Sequence, residues 1–511
     1  MRKYILAILM FTVLACGSST AKKENTKAEK PAVENKQTGN TEQKENEKST
    51  TASVSESDGD PLKIRKGKVD MQFYIKGLDH EGQTLDLIGM YMDKKYLADS
   101  TVIEPGGKFS FKGDKLYPDG FYYIVLPGNK VIKLLIDKDQ TFTFEADIND
   151  IDHTAKIDGS LTMKLYYDDF KFKKDLDPEY ARISRKIGRM SPSDPEFDKT
   201  YKEFLAISKK YEDRNKWLQK KYPDNFFTKF KIGGKNPILT FPKDKNGELD
   251  VKKQVYEYRK HFWDDFDFNV PALVNTPAFP NKLNRYFTEL IPQNQDSIIK
   301  YTDVLMDMAG HNDEYYKIIS NWVALKYEPG KTKLMDGEAV YSHVILKYFT
   351  KDRAKWLDDA SRTTLRKRAS EMVQSLLNKK AGNVTARGYD GKMYTLYDIK
   401  APVILVYIYN PDCSHCEEET PKLVNFYRQH KDKGVEIFSI AANTTEPEWR
   451  AFHERFHLPW IDVFDATNAS WYPKYFVDVT PELYVLDKDR KIVAKNLHVN
   501  QLETILQRIN K

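Results

Sequence analysis

Residues 403–409 read VILVYIY, and after Asn410 comes PDCSHCEEETP. A run with no charged or amide position leaves neither face of a strand for water, so it belongs inside a sheet that other elements cover on both sides. The flanking sequence supplies those elements. From residue 381 onward a strand is expected at 383–388, a turn at Asp390-Gly391, the apolar strand at 403–409 and a helix at 414–430. A strand at 435–441, a helix at 447–456, strands at 482–486 and 491–494 and a closing helix at 501–509 complete the pattern. Strands alternating with helices define a C-terminal α/β domain over 381–511. Two cysteines sit where its first long apolar strand ends and a helix begins.

Upstream the hydrophobic period changes. From Val69 to Asp150 apolar residues alternate along short runs: Met71, Phe73 and Ile75; Phe109 and Phe111; Tyr122, Ile124 and Leu126; Ile132, Leu134 and Ile136; Phe142 and Phe144. Turn signals such as Pro105-Gly106-Gly107, Pro118-Asp119-Gly120 and Pro127-Gly128-Asn129 separate the runs, which gives an antiparallel, sandwich-like β domain over 61–160. From 161 to 380 the period is helical. Asp194, Pro195 and Glu196 read as a cap and first turn, and Phe197, Tyr201, Phe204, Ser208 and Tyr211 then share one face. Aromatic residues stay dense in HFWDDFDFN at 261–269 and NRYFTEL at 284–290. At helical spacing such rows are packing surface more often than a binding box, so 161–380 is a mostly α-helical middle domain of open role.

The first residues set the compartment. Arg2 and Lys3 precede an apolar run at 5–14. About ten residues cannot span a bilayer, which takes roughly 20, and the arrangement has the shape of a secretory signal. Its ending, Val13-Leu14-Ala15-Cys16, resembles a bacterial lipobox, which implies a signal peptide over 1–15 and Cys16 as the lipidated first residue of the mature chain. An ordinary signal or a start-transfer helix is the alternative. Residues 16–60 mix Lys, Glu, Asn, Thr, Gln and Ser with almost nothing apolar, as expected of a disordered tether. Together these features place the protein in the bacterial cell envelope, lipid-anchored and facing the periplasm. Lys and Arg total 81 against 75 Asp and Glu, with the two signs interspersed, so the sequence offers a solvated surface and no nucleic-acid stripe.

Cysteine is scarce in this chain, with three in 511 residues. With Cys16 lipidated, Cys413 and Cys416 are the only pair in a compartment that permits disulfides. A thiolate at the start of a helix is stabilised by the first-turn N–H groups and the helix dipole. Cys413 occupies that place, while Cys416 lies one turn deeper. Cys413 can therefore attack a substrate disulfide, and Cys416 can resolve the mixed disulfide by attacking Cys413, leaving a Cys413-Cys416 disulfide. A zinc ribbon needs a second pair of ligands. A static disulfide over so short a loop adds little chain-entropy stabilisation. The Pro-x-x-x-Thr-x-x-Cys pattern of peroxidatic cysteines is absent.

The stretch from Ala381 to Lys511 resembles the TlpA/ResA branch of the thioredoxin superfamily. The likeness rests on Asp390-Gly391, on VILVYIY, on the pattern CxxCxxExP with Glu419 and Pro421, and on Val479-Thr480-Pro481 before ELYVLDKDRKIVAK. The whole chain resembles envelope lipoproteins of this branch that carry an N-terminal β domain and a helical middle domain. The resemblance implies a thiol-disulfide oxidoreductase with no cofactor beyond its cysteines. It also implies a cis Thr480-Pro481 bond beside the sulfurs, where a substrate strand pairs, and Glu419 as proton relay for Cys416. Its partners are protein thiols and disulfides and a redox protein that resets the pair. Two positions depart from the family. Asp412 replaces the usual tryptophan, and Tyr407 stands where thioredoxin carries a buried acid. His415 is expected to favour the Cys413 thiolate and so make the couple more oxidising, with Asp412 opposing it.

Residues 453–457, HERFH, fit the H-E-x-x-H pattern of zinc proteases. Trp449, Phe452 and Phe456 form the apolar stripe of that helix, and Leu458-Pro459 ends it at once, so the motif is read as structural, with no metal assigned. A further alternative is an envelope binding or scaffold lipoprotein whose thioredoxin-like domain is auxiliary.

Overall fold

The computed structural model describes residues 61–509. The signal segment 1–15, Cys16 and the tether up to residue 60 lie outside the described residues. The described residues up to Tyr286 form one compact unit and the described residues from Phe287 a second. No helix among the described residues is long and apolar enough to cross a membrane.

The first unit opens with eight strands: β1 (Arg65–Lys76), β2 (Thr84–Tyr91), β3 (Lys94–Val102), β4 (Lys108–Leu116), β5 (Gly120–Leu126), β6 (Lys130–Ile136), β7 (Thr141–Asp147) and β8 (Lys156–Asp158). They form two four-stranded sheets, ordered β4-β1-β7-β8 and β3-β2-β5-β6. The period-two residues point inward: Phe73, Phe109, Phe111, Phe142 and Phe144 are all buried, and Phe73 stacks on Phe109 at 4.7 Å. One pairing departs from the antiparallel expectation, because β1 and β7 run parallel from Asp70↔Thr141 to Lys76↔Asp147. β7 reaches β1 only after the chain has built the other sheet, so no hairpin dictates its direction. At the β3–β4 turn Gly107 has φ +73°, and a Cβ there would stand 2.4 Å from the Ile75 carbonyl oxygen.

Helices Leu161–Lys173, Leu176–Ile187, Phe197–Lys221, Phe226–Gly233, Val251–Lys260 and Ala278–Arg285 complete this unit. The Phe197–Lys221 helix buries Phe197, Phe204 and Ile207, but its cap differs from the sequence reading. Glu196 is the N-cap, and the Asp194 carboxylate instead accepts from the Ser191 N–H at 2.7 Å, closing the turn before the helix. A cavity of about 560 Å³ opens among Tyr166, Tyr180, Phe204, Tyr211, Lys231 and Tyr258.

The second unit starts with helices, Gln295–Ala309, Asp313–Lys326, Gly337–Tyr348 and Asp359–Met372, and ends in a seven-stranded sheet. The strands are β9 (Thr385–Gly388), β10 (Met393–Thr395), β11 (Val403–Tyr409), β12 (Val435–Ala441), β13 (Ile461–Phe464), β14 (Glu482–Leu486) and β15 (Ile492–Ala494), in the order β10-β9-β13-β12-β11-β14-β15. β11 lies inside, parallel to β12 and antiparallel to β14. All seven of its residues are buried. Val403, Leu405, Tyr407 and Tyr409 pack on one face with Cys416, Leu423 and Tyr427, whereas Ile404, Val406 and Ile408 pack on the other with Phe438 and Tyr484. The pleat thus divides one apolar run between two cores.

Candidate active site

β11 delivers the chain to Asn410, and the helix Ser414–His430 starts directly after Pro411-Asp412-Cys413. Asn410 organises the turn, its side chain accepting from the Asp412 N–H at 2.8 Å and its carbonyl from the Cys413 N–H at 3.1 Å. Cys413 is the N-cap, with extended backbone (φ −91°, ψ 116°). The helix continues because Cys416, Thr420, Leu423, Val424 and Tyr427 lay one apolar stripe on the sheet, with Pro421 inside it.

The two sulfurs, both free thiols, have different surroundings. Cys413 is partly exposed, and Cys416 is 0% exposed. Burial pushes the Cys413 thiol up, but hydrogen bonding from the Thr480 side chain, the Cys416 side chain and the Cys416 and His415 N–H groups outweighs it and holds the thiol below its ordinary value. The Thr480 carbonyl pulls the other way. It accepts from the Cys413 S–H at 3.1 Å, a contact available to the thiol and not to the thiolate. Burial pushes the Cys416 thiol up to about 12, against hydrogen bonding from the Asn410 backbone, and Cys413 reinforces the rise. The Thr480-Pro481 peptide is cis, as the resemblance implies.

The other expected residues are distributed as follows. Glu419 is near the pair, but its oxygens are engaged by Lys422 Nζ at 2.7 Å and the Val499 N–H at 3.0 Å. Burial raises its carboxyl, while Lys422, the Val499 N–H and His498 bring it below the ordinary value. A carboxylate held ionised in this way is a weak proton acceptor. His415 brings its backbone N–H to the Cys413 sulfur, whereas its imidazole is exposed without a hydrogen-bond partner among the described residues. Tyr407, in place of an acid, pairs its hydroxyl with Thr420 Oγ1 at 2.9 Å.

The HERFH motif is used for packing. The helix Glu446–Phe456 ends before His457, which takes a left-handed C-cap with φ 49°. His453 Nδ1 lies 2.9 Å from Asp462, its ring stacks on Tyr389 at 3.8 Å, and Glu454 accepts from the Tyr389 hydroxyl at 2.7 Å. Asp462, unnoticed in the sequence, gathers four groups: Tyr409 Oη at 3.1 Å, Ser439 Oγ at 2.6 Å, Trp449 Nε1 at 2.7 Å and His453. A lone acid in the apolar run IDVF was the available signal.

Comparison with known proteins gives three family profiles along the chain: a domain of unknown function, DUF4369, at 66–166, a second, DUF5106, at 249–375, and Redoxin at 377–508. The chain is 30% identical over 136 residues to the thiol-disulfide oxidoreductase ResA of a Bacillus cereus strain, covering 26% of this chain and 78% of that one. Among solved structures it is similar to a domain of a possible thiol-disulfide isomerase from Cytophaga hutchinsonii, with 31% identity, TM-score 0.25 and coverage of 26% and 93%. It is also similar to a thioredoxin-like protein from Bacteroides caccae, with 18% identity, TM-score 0.42 and coverage of 54% and 99%.

Proposed function

The chain belongs to the ResA thiol-disulfide oxidoreductases of the thioredoxin superfamily, and from that premise we propose that Cys413 is the attacking thiol and Cys416 the resolving one. The observation that carries this reading is the asymmetry of the pair: one sulfur partly exposed and held toward the thiolate, the other enclosed and pushed up to about 12. In the reductive direction the Cys413 thiolate attacks one sulfur of a substrate disulfide, forming a mixed disulfide and expelling the other sulfur as thiolate. Cys416 then loses its proton and attacks Cys413 Sγ, breaking the mixed disulfide and releasing the second substrate thiol. The protein dithiol is oxidised by two electrons and the substrate disulfide is reduced by two. The opposite flow uses the same bonds in reverse, and a redox partner resets the pair. Replacing Cys416 with Ala should accumulate mixed disulfides through Cys413, detected by non-reducing electrophoresis and mass spectrometry. Accumulation in Cys413→Ala alone would reverse the assignment.

The envelope location belongs to the same proposal. Cys16, at the end of an apolar signal and before a polar tether, carries the lipid that holds the protein to the membrane with the redox domain facing the periplasm. Radiolabelled palmitate should enter the wild type and not Cys16→Ala, and that variant should move to the soluble fraction. Unchanged fractionation and labelling would remove the anchor from this reading.

A further inference from the structure

Thr480 is the residue through which the rest of the unit reaches the reactive sulfur. Its side chain favours the thiolate and its carbonyl favours the thiol, so the balance depends on where Thr480 stands. The residues around it do little to hold it there. Val479 is 66% exposed, and Thr480 and Pro481 are only partly covered.

The ends of this segment are held by the helical part of the same unit. At one end Arg368 Nη2 donates to both carboxylate oxygens of Asp478, at 3.0 and 3.1 Å, while Glu328 lies 3.6 Å from the same guanidinium. Beside it the Phe476 N–H donates to Ser375 Oγ at 3.0 Å, and the Tyr484 hydroxyl joins Phe476 O at 2.6 Å and Ser375 Oγ at 3.2 Å. At the other end Glu482 accepts from the Asn496 N–H at 3.1 Å. The Asn496 side chain in turn donates to Glu338 at 2.9 Å and to the Met335 carbonyl at 3.1 Å. Lys495, fully buried, closes the arrangement by donating to the Ser375 carbonyl at 3.1 Å, with Glu338 at 3.5 Å.

We propose that the helical stretch 328–375 is a positioning device for the reactive thiol. Arg368 and Ser375 hold one end of residues 476–482 and Glu338, through Asn496, holds the other, and together they fix Thr480 against Cys413. A guanidinium donating to both oxygens of one carboxylate restricts direction as well as distance. A displacement well under about 1 Å at Thr480 is enough to change which form of the sulfur it favours. The stretch lies within the region matched by a family of unknown function, and this gives that region a role in the chemistry.

The inference rests on Cys413 being the attacking thiol, and the test separates the two. Cys413 pKa, read from thiolate ultraviolet absorbance in Cys416→Ala backgrounds, and the rate of reaction with oxidised glutathione are measured on the full chain. Arg368→Ala and Asp478→Asn are each expected to shift the Cys413 pKa and change the rate of attack about tenfold, with part of the change recovered in Arg368→Lys. The double variant Arg368→Ala/Asp478→Asn should change pKa and rate no further than Arg368→Ala alone, because the Arg368–Asp478 contact is already broken there. Unchanged pKa and rate in both single variants, or changes that multiply in the double, overturn the proposal. Asp478 is exposed, so its variant keeps the test available if Arg368→Ala fails to fold. Survival of glutathione reactivity in Cys413→Ala would instead overturn the parent assignment, whatever Arg368 does.

Discussion

Two ionic clusters, one in each unit, are each built around a single buried charge, an acid with two lysines in the first and a lysine with three acids in the second. In the first, Asp169 meets two ammonium groups, Lys231 at 2.7 Å and Lys173 at 2.9 Å. Burial pushes the Asp169 carboxyl up, but Lys231 and Lys173 outweigh it and hold it below the ordinary value. In the second, Lys495 is shared by Glu338 at 3.5 Å and Asp336 at 3.9 Å, with Glu482 beside them. There burial wins: it pushes Glu482 up to about 8 against the pull of Lys495, with Glu338 adding to the rise, and it raises Asp336. The difference shows that enclosure alone does not set a buried acid's protonation. The count of opposite charges matters as well: two ammonium groups hold Asp169 toward the carboxylate while one leaves Glu482 pushed toward the neutral acid, and burial lowers Lys231 in the first cluster to about 8.

The largest expected effect comes from removing whichever partner is in the minority. Asp169→Asn leaves the ammonium groups of Lys231, 11% exposed, and Lys173, 28% exposed, together without their carboxylate, and Lys495→Met leaves three carboxyl groups without a counterion. Each should cost about 3–5 kcal/mol in urea unfolding. If Lys495→Met costs no more than Lys173→Met, the charge count is not what distinguishes the clusters.

Next in size is the dependence on pH, where the clusters should give slopes of opposite sign. Glu482 keeps its proton when folded up to about pH 8, against an ordinary 4.5. Its contribution is therefore complete below that ordinary value and is lost as pH rises toward 8, by roughly 2–4 kcal/mol. Asp169 is lowered from 3.8, so its contribution is present above that value and is lost as pH falls through the folded-state value. Urea midpoints across pH should lose the neutral slope in Glu482→Gln and keep the acid one. Asp169→Asn should do the reverse. A Glu482→Gln profile that still falls from about pH 5 to 8 would show that another group holds the proton.

The smallest effect is expected from removing a majority partner. Lys173→Met leaves Asp169 with Lys231 and should cost about 1 kcal/mol or less. Glu338→Gln removes a charge that raises Glu482, so the Glu482 pKa should drop below about 8, measurable by carboxyl-selective NMR titration. A rise instead would mean that Glu338 acts there mainly as a hydrogen-bond acceptor.

Neither cluster was visible in the sequence, for a physical reason. Strand 403–409 and helix 414–430 were legible to the residue, because an unbroken apolar run and a cap followed by one apolar stripe are local signals. The cysteine pair and Thr480-Pro481 were legible as motifs. Strand Ile461–Phe464 was missed because it is short and carries Asp462, and Met393–Thr395 because three residues give no period. The parallel β1–β7 pair, the Asp462 network and the hold of Arg368 on Asp478 join residues 9 to 110 positions apart. Such pairings are settled by topology, and a single sequence carries no record of them. HERFH shows the opposite error, a local pattern whose second histidine falls past the end of its helix.

The enclosure of Cys416 also sets a clock. In the proposed mechanism the burial that pushes the Cys416 thiol up makes the resolving step wait on a deprotonation inside the protein. A captured substrate therefore stays tethered for a time governed by that interior event. The same enclosure shields the inner sulfur from alkylating agents and peroxide, which leaves Cys413 the more accessible of the two thiols among the described residues.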